Sequence, residues 1–181
     1  MCNKSSHGFT LIELVVVIVI LAILSVTALP KFINFSSDAR ISTLKSFAGT
    51  FKSTSQLVFV KQVVEDDLSD VPSAGINLFG TFIQTSYGYI DGGSSGDFLS
   101  VLDGDIAVGT NLSQPCADAE FCLNSRTAIA GYPGLTLPST NGSIVIAFPK
   151  GFTRNQSCFA YYWFSQETNE LPVVGVISNG C

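Results

Sequence analysis

Apolar residues are spread very unevenly along this chain. From Phe9 to Leu29 they run almost without interruption, and from there to about residue 65 they recur every three or four positions. Phe9–Leu29, taken as a helix at 1.5 Å per residue, is about 32 Å long, enough to cross a bilayer. Pro30 then breaks the pattern, removing one backbone donor, and predicts a kink or local opening. Beyond it Ile41, Leu44, Ala48 and Phe51, continued by Leu57, Val60 and Val64, mark one face of a helix. Arg40, Ser42, Lys45, Lys52, Lys61 and Gln62 fall on the other faces. The reading is one long helix over 9–65, hydrophobic through residues 9–36 and amphipathic through 37–65. The acidic run Glu65-Asp66-Asp67, with Asp70 and Pro72, ends it, because acids are unfavourable at a helix C-terminus.

From residue 66 to 181 the pattern is that of a β head. Residues 66–115 are rich in turn formers, and Asp91-Gly92-Gly93-Ser94-Ser95-Gly96-Asp97 reads as a flexible loop. Neither that run nor Asp103-Gly104-Asp105 has the spacing of a calcium loop closed by a bidentate Glu, so turns are the better reading. Strands are predicted at 142–148, 158–165 and 171–178, with turn chemistry at 166–169. The fold class is therefore α+β: a long helix, its second half packed on a small antiparallel sheet. The aromatic run Tyr161-Tyr162-Trp163-Phe164 lies in one strand, where alternation sends about half of such side chains into the core.

Charge divides along the same boundary. Residues 9–65 carry net +2, whereas residues 66–181 carry net −8. An acidic head over a mildly basic stem has no basic patch of the kind that binds nucleic acid. Complementary charge between one copy's stem and another's head would favour register, although solvation alone explains the charges equally well.

Of five cysteines, Cys2 precedes the apolar run, leaving Cys116, Cys122, Cys158 and Cys181. An even number behind an export segment reads as two disulfides. Four cysteines allow three connectivities. A hairpin centred between Thr168 and Asn169 places Cys158 almost opposite Cys181, with a bulge at Gly175 to absorb the offset. That pairing leaves Cys116 with Cys122, and the loop 158–181 would stabilise by about 3 kcal/mol.

Catalytic chemistry is sparse. The single histidine is His7, so nothing after the first eight residues supplies a Ser-His-Asp triad, a Cys-His dyad or a His-containing zinc site. No phosphate loop of the Gly-x-x-x-x-Gly-Lys type occurs. The reading is a non-enzyme with no cofactor and no metal. One acidic residue does stand out. Glu13 sits at the front of the membrane helix, where a carboxylate costs about 2.5–3.5 kcal/mol and calls for a partner. A cut between Gly8 and Phe9 would create one, the α-amino group of Phe9. A plain membrane anchor leaves Glu13 unexplained. An ordinary secretory signal, cut after Ser25-Val26-Thr27-Ala28, would have an unusually long apolar core.

The run Gly8-Phe9-Thr10-Leu11-Ile12-Glu13, with its short polar leader and unbroken apolar helix, resembles the start of type IV prepilins. Pro30-Lys31-Phe32-Ile33-Asn34-Phe35, followed by Asp38-Ala39-Arg40, is similar to pilins of the mannose-sensitive haemagglutinin class. The resemblance covers residues 1–65; beyond them it is one of layout only. It implies that residues 1–8 are a cleaved leader with Gly8 before the cut, and that Phe9 is the methylated mature N-terminus. It also implies that Glu13 pairs with a neighbour's Phe9 amine. By the same analogy Pro30 marks a kink, and residues 22–31 lose helicity in the filament. The implied shape is a lollipop, its C-terminal disulfide loop exposed for subunit contacts or adhesion. The implied partners are further copies of the chain, prepilin peptidase, the assembly machinery of the inner membrane, that membrane before assembly, and a carbohydrate or surface receptor. The implied location is a single pass in the inner membrane, then an extracellular pilus. A minor pilin, a type II secretion pseudopilin and a membrane-anchored ectodomain are the alternative readings.

Overall fold

The computed structural model describes residues 8–65, 74–78, 80–109, 114–128, 132, 134–139, 141–165 and 170–181; the side chains of 29–34, 74 and 126–128 are outside the description. The chain divides into two compact units, Met1–Ala39 and Arg40–Cys181.

Helix α1 spans Leu11–Glu65. No glycine falls between Gly8 and Gly49 and no charge between Glu13 and Lys31, so little in the sequence opposes helix over this stretch. The backbone stays helical through Pro30. In the first unit the stretch Leu11–Ala28 has a mean hydropathy of 2.9 and none of it is buried.

In the second unit α1 buries Leu44, Ala48, Phe51, Ser55, Val58 and Gln62. These positions advance by four and three alternately, the spacing of one helix face. The face expected from apolar residues alone is therefore correct at Leu44, Ala48 and Phe51 and wrong afterwards. Leu57 and Val64 are 71% and 78% exposed, Val60 is also exposed, and the polar Ser55 and Gln62 are inside. The last turns of α1 keep their rotational register by taking hydrogen-bonding side chains into the core. Ser55 Oγ is 3.1 Å from Tyr162 Oη, and Gln62 Nε2 donates to Thr85 Oγ1.

Two sheets follow. Strands β1 (Ala74–Leu78), β2 (Thr81–Ser86) and β3 (Tyr89–Ile90) form an antiparallel sheet in that order. After helix α2 (Ser95–Val101), strands β4 (Ile106–Val108), β5 (Phe121–Ala128), β6 (Asn141–Pro149), β7 (Phe159–Ser165) and β8 (Val173–Ile177) form a five-stranded sheet, again in sequence order. The strands expected at 142–148, 158–165 and 171–178 correspond to β6, β7 and β8. One correction concerns strand direction. The β4–β5 pair is parallel, the remaining pairs antiparallel. A second concerns the run 91–97, which is not a loose loop. Asp91 and Gly92 are buried, Asp91 Oδ1 accepts the Gly93 amide at 3.0 Å, and Ser95 opens α2.

The five-stranded sheet is covered on both faces. On one side Ala160, Tyr162 and Phe164 join Leu44, Phe51 and Phe98 in one apolar cluster. On the other, Phe159 and Trp163 pack with Ile144, Ile146, Phe148 and Tyr132, beside Leu135 and Leu137. Two-sided burial explains why Tyr162, Trp163 and Phe164 are all fully buried, where alternation over one core predicts only half. Aromatic contacts bridge helix and sheet. Phe51 meets Phe98 edge-on at 4.9 Å, Phe98 meets Tyr162 at 4.7 Å, and Phe59 stacks on Tyr89 at 4.6 Å.

Candidate functional site

The N-terminal turn of α1 brings Thr10 and Glu13 together. Glu13 Oε2 accepts hydrogen bonds from the Thr10 backbone N–H and the Thr10 hydroxyl, each at 2.8 Å. The Glu13 N–H points back to Thr10 Oγ1 at 3.4 Å, making a reciprocal capping box of the Thr-x-x-Glu type. This closes donors that would otherwise be open at the start of a helix. The Glu13 carboxylate is thus held at the helix entrance by its own chain and stays exposed, beside Phe9, which is 88% exposed.

Gly8 stands just before this turn. A Cβ built there meets nothing within 4 Å, so packing among the described residues places no demand for glycine at that position. The apolar surface that follows is open all round, from Leu11 and Ile12 to Leu24 and Val26. Its few polar groups are closed internally. Ser25 Oγ donates to Leu21 O at 2.7 Å, and Thr27 Oγ1 donates to Leu24 O at 3.0 Å. Hydroxyls spent on the preceding turn carry no open donor into hydrocarbon.

Cysteine pairing is seen directly in the head. Cys116 bonds Cys122, with Cα atoms 5.6 Å apart, and Cys158 bonds Cys181, with Cα atoms 4.9 Å apart. The route to the second pair differs from expectation. The β7–β8 ladder runs in regular register from Phe159↔Ile177 to Trp163↔Val173, and Gly175 is paired with Tyr161 rather than bulged. Gly175 is required for another reason, since a Cβ there would sit 2.6 Å from Tyr161 Oη. The offset is taken up by a turn after β8, in which Cys181 N donates to Ser178 O and Gly180 N to Ser157 O. Arg40 then fixes this corner to α1. Its Nη1 donates to Cys181 O at 2.9 Å, and its guanidinium lies 5.3 Å from the Phe152 ring centroid.

Three polar features of the head have no motif in the sequence. Burial raises Asp97 to about 6, opposed by a hydrogen bond from the Gln84 backbone and reinforced by the Asp91 charge. Burial also raises the Tyr162 hydroxyl. Gln62 looks like an ordinary outer-face helix residue, and nothing local marks Ser55, until the sheets are in place. Among the described residues, no group of three or more His, Cys, Asp or Glu side chains could hold a metal ion.

Comparison with known proteins bears on the first of these regions. No curated protein and no solved structure matches the chain. Residues 3–29 match the family described as "Prokaryotic N-terminal methylation motif". That stretch contains Gly8, Phe9, the Thr10–Glu13 box and the bare apolar helix, and it fits single-pass anchoring in the inner membrane before assembly. Residues 3–29 thus carry the leader of a type IV pilin-like prepilin, a subunit type processed and assembled into pili or pseudopili.

Proposed function

We propose that this chain is a structural subunit of a type IV pilus, of the mannose-sensitive haemagglutinin class, serving attachment to surfaces. Prepilin peptidase removes residues 1–8 after Gly8, and the Phe9 amine is methylated. Glu13 of an incoming copy then pairs with the Phe9 amine of its neighbour. Around a carboxylate at the mouth of an apolar helix the dielectric is low, so a matched amine is strongly attracted and an unmatched carboxylate is penalised. That difference sets axial register. The apolar surfaces of successive α1 helices then cover one another.

The observation that carries this reading is the juxtaposition of Glu13, capped among the described residues by Thr10, with a helix surface of which none is buried by the described residues. Gly8 supports it as a position where glycine serves no packing among the described residues, as expected of a residue read by an outside enzyme.

The test is mass spectrometry of protein sheared from the cell surface. The expected species starts at methylated Phe9, is the abundant chain of the filament, and gains about 4 Da on reduction of its two disulfides. A chain still starting at Met1, or cut near Ala28, would overturn the assignment. The same N-terminus in trace amounts would make it a minor subunit instead.

A further inference from the structure

Strand β8 is an edge of the five-stranded sheet, paired with β7 on one side and with no described strand on the other. Its sequence, Val173-Val174-Gly175-Val176-Ile177, has none of the charged or proline residues that usually blunt an exposed edge. In an antiparallel pair, every second residue of an edge strand directs its N–H and C=O away from its partner. β8 therefore offers outward donors and acceptors that only another extended backbone satisfies in sequence.

Beside this edge lies a cavity of about 190 Å³ between α1, β3 and β8. Tyr89, Tyr162, Leu171 and Val174 give it apolar walls, and Lys52 and Gln56 stand on its helix side. Ser55 also reaches it. The single hydroxyl proton of Tyr162 is donated to Ile90 O at 2.9 Å. Ser55 must therefore be the donor in its contact with Tyr162, which leaves Ser55 Oγ with acceptor capacity at the cavity wall. Val174 lines the cavity, so the cavity is on the α1-facing side of β8. A strand added to β8 directs alternate side chains to that side.

We propose that β8 is a strand-addition site for an extended peptide of a partner protein, with one aromatic side chain seated in the cavity and an acidic residue two positions along, on the same face, facing Lys52. Main-chain pairing supplies the affinity and the cavity the selection. A tyrosine suits it best, its ring against Tyr89, Leu171 and Val174 and its hydroxyl donating to Ser55. Two of the other edges are shorter: β3 and β4 are two and three residues long. This inference does not depend on filament assembly.

The test uses the full chain, oxidised and unassembled in detergent micelles. The probe is a blocked, fluorescent peptide of alternating threonine and valine with a central tyrosine and a glutamate two positions from it, on the same face. Saturable binding is expected, with slowed amide exchange confined to residues 173–177. Methylating alternate backbone nitrogens of the peptide should abolish binding. Lys52→Glu, at an exposed position, should weaken binding about tenfold, and replacing the peptide glutamate by lysine should restore it. Glu13→Ala should leave it unchanged. Three results would overturn the proposal: no saturable binding, indifference to backbone methylation, or protection away from 173–177. Protection that appears with protein concentration alone, and that the peptide cannot compete away, would assign the edge to a second copy and also overturn it.

Discussion

Ser55 donates its hydroxyl proton to Tyr162, because Tyr162 has already committed its own to Ile90 O. This ordered relay joins α1, β7 and the end of β3 inside the core, and its two side chains are not equivalent. Tyr162→Phe leaves the Ser55 hydroxyl and the Ile90 carbonyl unpaired in a buried place and should cost about 1–3 kcal/mol. Ser55→Ala leaves the Tyr162–Ile90 bond intact and should cost less. Urea unfolding of the oxidised protein would rank the two, and an equal or reversed ranking would refute the relay.

The helix face that forms the core can be tested by contrast. Phe51→Ala removes a fully buried ring that touches Phe98 and should cost about 3–5 kcal/mol. Leu57→Ser, six residues further on, lies on the exposed face and should stay within about 0.5 kcal/mol. Comparable losses at both positions would mean that α1 is rotated from the register described.

Acid should favour the head at Asp97. Its carboxyl is raised from 3.8 to about 6, first by burial, so between those values the folded state holds a proton that the unfolded chain releases. Stability from this group is complete below pH 3.8, is lost as pH rises to about 6, and is constant beyond. The stability of Asp97→Asn relative to the parent should therefore climb across that window and then level off. A difference independent of pH would remove the buried-carboxyl account.

On the proposed function, in which cleavage reads Gly8 and Phe9 and register rests on the carboxylate, Glu13→Ala should be processed and inserted normally yet yield few or no filaments. Immunoblots of sheared and membrane fractions would separate the two steps. Normal filament yield would remove Glu13 from assembly.

Reduction, or Cys158→Ser with Cys181→Ser, should cost about 2–4 kcal/mol. Amide protection should be lost first in β8, which hydrogen exchange would show. Uniform loss across the five-stranded sheet would argue against a local role.

The long helix and the last three strands were legible because their signals are local: a continuous apolar run, 3–4 spacing up to Phe51, and β-branched runs bounded by turns. What was illegible depends on partners distant in sequence. Gln62 read as an outer-face residue and Ser55 carried no reading, since nothing near them announces Thr85 or Tyr162. Leu57, Val60 and Val64 read as core because apolar spacing alone is blind to which face the sheets occupy. The burial of both faces of β7 required Tyr132, Leu135 and Leu137 to lie over it, and the parallel β4–β5 pair depends on the connection between Val108 and Phe121, which no local signal marks. At the N-terminus, Gly8 and Glu13 were conspicuous because glycine and carboxylate contrast with everything around them, whereas the reciprocal bond to Thr10 appears only in the folded turn.

The closure between Cys158 and Cys181 has a mechanical side. A terminal hairpin strand usually fails under load like a zipper, one hydrogen bond at a time from its loose end. Here β8 is tethered at one end by the chain leading from β7 and at the other by the disulfide, with Arg40 gripping Cys181. With neither end loose, tension on the head has to shear the β7–β8 bonds together, and a reducing solution should return the strand to stepwise peeling.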